Sequence, residues 1–201
     1  MKLLLTSSGL DTEILREKFL ELVRKPAFEI RLLFVPTAAN VQRDKSYLER
    51  NKSDLVEIGI NRENIIDCDL DKDFHDIDFS GIDVIFVAGG NTFYLLDRVR
   101  KMGFDKKIRE MVDGGVTYIG ISAGSILVGP DVGVALPFDP NDCGVEDHTG
   151  LNLTDKVVAP HYNRKDQEII DKFKEESKND VVVLNDGEGL LVHDDSVEVI
   201  R

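Results

Sequence analysis

"VTYIGISAGSILVG", residues 116 to 129, is the stretch on which the fold turns. Val116, Tyr118, Ile119 and Ile121 form a β-prone apolar run without polar alternation, as in a strand buried on both faces. Ala123 to Val128 are small or aliphatic and compatible with a helix. Between the halves stands Ser122, with Gly120 and Gly124 two positions to either side. A chain that leaves a strand and enters a helix at one residue needs small neighbours, because the corner residue is strained. The segment predicts strand, sharp turn and helix.

The same alternation runs outward in both directions. "KLLLT" (2–6), "EIRLLFVPTA" (30–39), "NIIDCDL" (64–70) and "IDVIFVAGGN" (82–91) read as apolar strands, the last running into a glycine pair. Residues 11–25, 44–60, 92–102 and 104–112 read as amphipathic helices. Strands apolar on both faces that alternate with helices predict a mostly parallel sheet covered on both sides. Residues 129–155 read as irregular. Beyond them lie a helix ("QEIIDKFKEES") and three closely spaced strands, "DVVVLN", "GLLVH" and "SVEVI". With 201 residues and no linker or repeat, the chain reads as one domain, 1–201.

Charge narrows the partners. Twenty-five Lys and Arg against 38 Asp and Glu give a net charge of −13, which disfavours nucleic acid and anionic membranes. Cys68 and Cys143 are far apart and form no metal-type or redox pair, which suits a reducing cytoplasm. The N-terminal apolar run is too short for a signal peptide, and a cytoplasmic location is expected. In "DCDLDKDFHDID" (67–78), Asp67, Asp69 and Asp71 match the start of a calcium loop. Lys72 stands at the glycine position and Asp78 at the glutamate position, so an acidic connection is the better reading and no metal is expected.

Gly120-Ile121-Ser122-Ala123-Gly124 fits the pattern of a nucleophile elbow. A serine hydroxyl needs a base within hydrogen-bond reach. Of the four histidines, His161 in "VVAPHYN" follows an apolar strand and a proline, where a catalytic loop would leave a sheet; His148 is the reserve. The base needs an acid to hold its tautomer, and "VVVLNDGEGLLV" offers Asp186 and Glu188 on a glycine-rich turn between strands. For an oxyanion, the Ala123 N–H is one natural donor, and Gly89-Gly90-Asn91 can supply the second because glycine lets backbone approach a ligand closely.

"FVAGGNTFYLLDRVR", "YIGISAG", "APHYN" and "VLNDGEGLLV" together resemble peptidase E, the aspartyl dipeptidase family related to cyanophycinases, in order over nearly the whole chain. The resemblance implies a three-layer, flavodoxin-like α/β sandwich of the class I glutamine amidotransferase-like kind. It implies Ser122 as nucleophile, His161 as base, Asp186 as acid, and Gly90 and Ala123 as oxyanion donors, with Asn91 at the substrate and no cofactor. An α/β-hydrolase chain order would instead require an acid such as Asp139. Related amidotransferases carry cysteine at the elbow, so Ser122 argues against glutaminase chemistry.

The chain departs from the family pattern twice. "HYNRKDQEII" lacks the longer Gly-Glu-(Ser/Thr)-Arg loop after the histidine, and "VGVALPFDP" replaces a polar Asn-Asp downstream of the serine. A serine peptidase acting on small peptides, as monomer or homodimer, is the expectation. An esterase or amidase of small acyl compounds, or an inactive binding member of the family, are the alternatives. If preference for an N-terminal aspartate is kept, the pocket needs a cation, and Arg164 is the candidate because its fork can hold a carboxylate by two hydrogen bonds.

Overall fold

The computed structural model describes residues 1–72, 74, 77–194 and 196–201. The strands are β1 Lys2–Thr6, β2 Leu32–Val35, β3 Ile65–Asp67, β4 Val84–Val87, β5 Thr117–Ile121, β6 Lys156–Ala159, β7 Asp180–Val183, β8 Gly189–His193 and β9 Ser196–Ile200. The helices are α1 Glu13–Val23, α2 Ser46–Glu57, α3 Thr92–Lys101, α4 Phe104–Asp113, α5 Ala123–Leu127 and α6 Gln167–Ser177. Seven strands form one sheet in the order β3-β2-β4-β5-β1-β8-β9. The first five run parallel, and β8 and β9 close the edge antiparallel.

Side chains alternate across a strand, so the unbroken apolar runs feed two cores. Leu3, Leu5, Leu33, Val35, Ile85, Val87 and Tyr118 face one side, where Phe93, Leu96, Val99, Phe104 and Ile108 of α3 and α4 cover them. Leu4, Leu32, Phe34, Val84, Phe86, Ile119 and Ile121 face the other, under Leu15, Phe19 and Leu22 of α1 and Leu55 of α2. Phe34 and Phe86 stack there with centroids 5.2 Å apart. The expected α/β sandwich is what forms.

The C-terminal third differs from its reading in one respect. Asp186 lies on a turn between two strands, as expected, but those strands belong to different sheets. β7 pairs in parallel with β6 as a separate two-stranded sheet, whereas β8 pairs with β1. The ladder continues past the ends of β6 and β7, with Leu184 N–H donating to Ala159 O and Tyr162 N–H to Leu184 O. His161 and Asp186 thus leave the same end of one small sheet and point toward the large one.

The acidic connection is tied to protein donors. Asp67 pairs with Lys52, Asp69 accepts from Thr37 and Asn40, and Asp71 accepts from Asn40 and Tyr94 and pairs with Arg98. The calcium-loop reading also runs over 73, 75 and 76, which lie outside the described residues, and so does His75. No group of three or more potential ligands suited to a metal occurs among the described residues. Among them, too, no helix is long and apolar enough to cross a membrane.

Candidate active site

The carboxyl ends of β4, β5 and β1, neighbours in the sheet, meet at one place. β5 delivers Ser122, whose backbone has φ 50° and ψ −109°, a sparsely populated positive-φ conformation that costs a non-glycine residue energy and recurs at functional sites. The glycines of the elbow are required by contact. A Cβ on Gly120 would lie 2.6 Å from Gly124 O, and one on Gly124 would lie 2.3 Å from Val87 O. The Ser122 N–H is held by Thr6 O at 3.0 Å, which ties the elbow to the end of β1.

His161 Nε2 stands 3.0 Å from Ser122 Oγ, and His161 Nδ1 stands 2.6 Å from Asp186 Oδ1. Ser122, His161 and Asp186 are therefore brought into one hydrogen-bonded line. His161 also has a positive φ of 54°, so two consecutive members of the line are backbone outliers. Glu188 is turned away: its carboxylate accepts from the Asn185 backbone N–H and side-chain amide, with Arg201 Nε 3.5 Å off. His148 is engaged elsewhere, with its ring beside Phe93 and Nε2 3.1 Å from Val145 O. Asp139 accepts from the Thr92 N–H at 2.8 Å and has no bond to His161.

Ser7, just past β1, is a participant that sequence reading missed. It is fully buried, its Oγ accepts the His161 N–H at 2.7 Å, and its hydroxyl donates to Asp186 Oδ1 at 2.9 Å. Next to it Ser8 Oγ accepts the Gly187 N–H at 3.0 Å and donates to Asp11. The "TSSG" after the first strand was the only local hint, and such a string is ordinary after any strand.

Gly90 and Ala123 flank the serine from β4 and α5. Neither N–H donates to another group among the described residues, which leaves both available to an oxyanion. Gly90 has φ 144°, and a Cβ there would lie 2.2 Å from Ala38 O, so only glycine fits. Asn91 is 3% exposed, its Oδ1 caps α3 by accepting the Tyr94 N–H, and its Nδ2 donates to Pro140 O, so both ends of its amide are engaged by the fold. Arg164 is not brought to the site: it lies exposed in a short 3₁₀ turn before α6 and lines neither cavity at Ser122.

Two cavities open on either side of Ser122 and His161. One, of about 580 Å³, is walled mostly by residues with polar side chains, Ser7, Ser8, Asp11, Tyr47, Arg50 and Asp54 among them. Arg50 is the one Lys or Arg lining either cavity among the described residues. Burial, reinforced by Asp44 and Asp139, pushes the Tyr47 phenol above its usual range, and burial raises the Asp54 carboxyl against the opposing pull of Arg16. The second cavity, of about 160 Å³, is mainly apolar and runs between α5 and α6. Ser122, His161 and Asp139 line both.

The sequence profile of peptidase family S51 matches residues 3–200. The uncharacterized peptidase Lmo0363 of Listeria monocytogenes is 30% identical over 164 residues, covering 79% of this chain and 80% of its own. A peptidase E of Nostoc is 27% identical, with 85% and 72% covered, and one of Shigella flexneri is 29% identical, with 80% and 68% covered. Among solved structures, a Listeria monocytogenes EGD-e protein provisionally assigned to peptidase E superposes with a TM-score of 0.81 at 27% identity, over 100% of this chain and 98% of that one. The chain belongs to peptidase family S51, and it is a serine peptidase.

Proposed function

We propose that the chain hydrolyses short peptides through an acyl-enzyme, with Ser122 as nucleophile, His161 as base and Asp186 as acid. The observation that carries this reading is the unbroken line from Asp186 through His161 to Ser122, at 2.6 and 3.0 Å. His161 Nε2 takes the hydroxyl proton as Ser122 Oγ attacks the scissile carbonyl. Asp186 holds the proton of Nδ1 in place and offsets the charge of the imidazolium. The carbonyl oxygen, now negative, is received by the N–H groups of Gly90 and Ala123. The imidazolium gives its proton to the departing amine, and the bond to that nitrogen breaks. A water molecule then attacks the ester, with His161 acting again as base, and Ser122 is restored.

A fluorophosphonate probe together with a dipeptide library tests this reading. An activated serine labels quickly, and Ser122→Ala is expected to abolish labelling and reduce kcat by about a million-fold, as in serine hydrolases whose triad acts as a unit. Adding His161→Ala should cost scarcely more. An unlabelled wild type identifies a non-catalytic binding protein, and turnover of small esters without any dipeptide identifies an esterase.

A further inference from the structure

Resting on the serine-peptidase reading, we infer that the smaller cavity is a specificity subsite for one uncharged apolar side chain, of leucine to phenylalanine size, next to the scissile bond. Three observations carry this. First, the cavity is lined by Ile126, Val134, Ala135, Phe138, Ala159 and Ile170, contributed by α5, the irregular 129–155 segment, β6 and α6. Second, its volume is about 160 Å³. A protein cavity of roughly 150 Å³ with aliphatic and aromatic walls takes one benzene molecule, so this one holds a single large side chain and no more. Third, Ser122 and His161 form part of its wall, so its occupant sits directly beside the reacting bond.

The charged groups at this cavity argue against an acidic occupant. Asp139 and Asp166 both line it, and no Lys or Arg does among the described residues. A substrate carboxylate would be desolvated beside two like charges, with no cation to compensate. An apolar side chain meets no such opposition. Phe138, at 53% exposure, stands in the cavity wall, and the exposed Leu136 and Ile169 line an adjoining hollow that shares Val134 and Ile170 with it, so apolar surface continues beyond the cavity.

The test uses the full-length protein and two dipeptide series, Xaa-Ala and Ala-Xaa, with Xaa as Leu, Phe, Ala or Asp, and measures kcat/KM. At one of the two positions, Leu and Phe should exceed Ala by about tenfold or more, since each methylene in an apolar pocket discriminates by about 10- to 200-fold. Asp at that position should be the poorest of the four. Ala135→Phe, which fills the cavity, should reverse the order of Leu and Ala, a change that general destabilisation does not produce. Flat profiles in both series overturn the inference, and so does a preference for Asp. An Asp preference lost in Arg50→Ala would assign specificity to the polar cavity instead. Fluorophosphonate labelling runs in parallel. Labelling without the apolar preference overturns the subsite alone, whereas no labelling and no cleavage overturn the serine reading beneath it.

Discussion

On the proposed triad, replacing Asp186 by asparagine would separate two tasks that the acid performs together, holding the imidazole tautomer and balancing the imidazolium charge. Ser7 makes the separation possible. Its Oγ accepts the His161 N–H, so its single proton is committed to Asp186 Oδ1, the same oxygen that faces His161 Nδ1. An asparagine can present either oxygen or NH₂ at that point. With oxygen inward, Ser7 and the Nδ1 proton both keep their acceptor, and Nε2 remains bare toward Ser122. With nitrogen inward, the buried Ser7 hydroxyl loses its acceptor and the proton moves to Nε2, where it blocks catalysis. Stranding a buried donor costs about 1–3 kcal/mol, which favours the oxygen-inward form by roughly 5- to 150-fold.

What remains is the loss of charge. Two unit charges 4 Å apart attract by about 1 kcal/mol in water and about 4 kcal/mol at an effective dielectric of 20. Asp186 is 65% exposed, so its value lies between those limits, and a kcat loss of about a hundredfold is expected. A flipped tautomer costs about ten-thousandfold in other serine triads. Steady-state kinetics on one cleaved dipeptide for wild type, Asp186→Asn, Ser7→Ala and the double variant resolves the two cases, with thermal unfolding to check the fold. The double variant should fall toward the ten-thousandfold level. If Asp186→Asn alone is already there and Ser7→Ala adds nothing, the role given to Ser7 is refuted.

Gly124→Ala drives a Cβ to 2.3 Å from Val87 O and should destabilise by about 1–3 kcal/mol, lowering Tm by about 2–4 °C per kcal/mol, with loss of activity. Gly103→Ala, at φ 64° with nothing within 4 Å, carries only left-handed strain of about 1–2 kcal/mol and should keep its kcat; equal kcat losses in the two variants would remove the close-packing argument for the elbow. Glu188→Gln should change kcat by less than about tenfold, since that carboxylate serves its own turn and an exposed arginine; a loss exceeding that of Asp186→Asn would move the acid to Glu188. Burial pushes the Cys68 thiol up to about 12, so at pH 8 iodoacetamide should leave it unmodified in the folded protein and take Cys143, which is partly exposed, first; peptide mapping by mass spectrometry reads the order. His148→Ala should leave kcat near wild type, because its ring packs on Phe93 and lines neither cavity at Ser122; a hundredfold loss there would reopen the choice of base.

The sequence by itself determined the layers and the elbow. Runs such as "LLFV" and "VIFV" have no polar alternation, and only a sheet covered on both faces buries every residue of them. The glycines around Ser122 and at Gly90 encode backbone requirements that a residue type can satisfy locally, so they were legible without any contact being known. Tertiary structure alone decided the rest. Asp186 and Glu188 stand two residues apart on one turn with equal chemistry, and only the placement of His161, 25 residues earlier, distinguishes them. Ser7 acts on partners 154 and 179 positions away, a separation that leaves no periodicity or motif to read. Asn91 and Arg164 are polar residues near the right segments, but a side chain's free hydrogen bonds and its direction are set by what packs around it. The apolar cavity follows the same rule: Ile126, Phe138 and Ile170 come from three unrelated segments that look like ordinary core until the fold leaves a space among them beside Ser122. Local spacing specifies backbone conformation, whereas the site's selectivity depends on long-range juxtaposition, which a linear string does not contain.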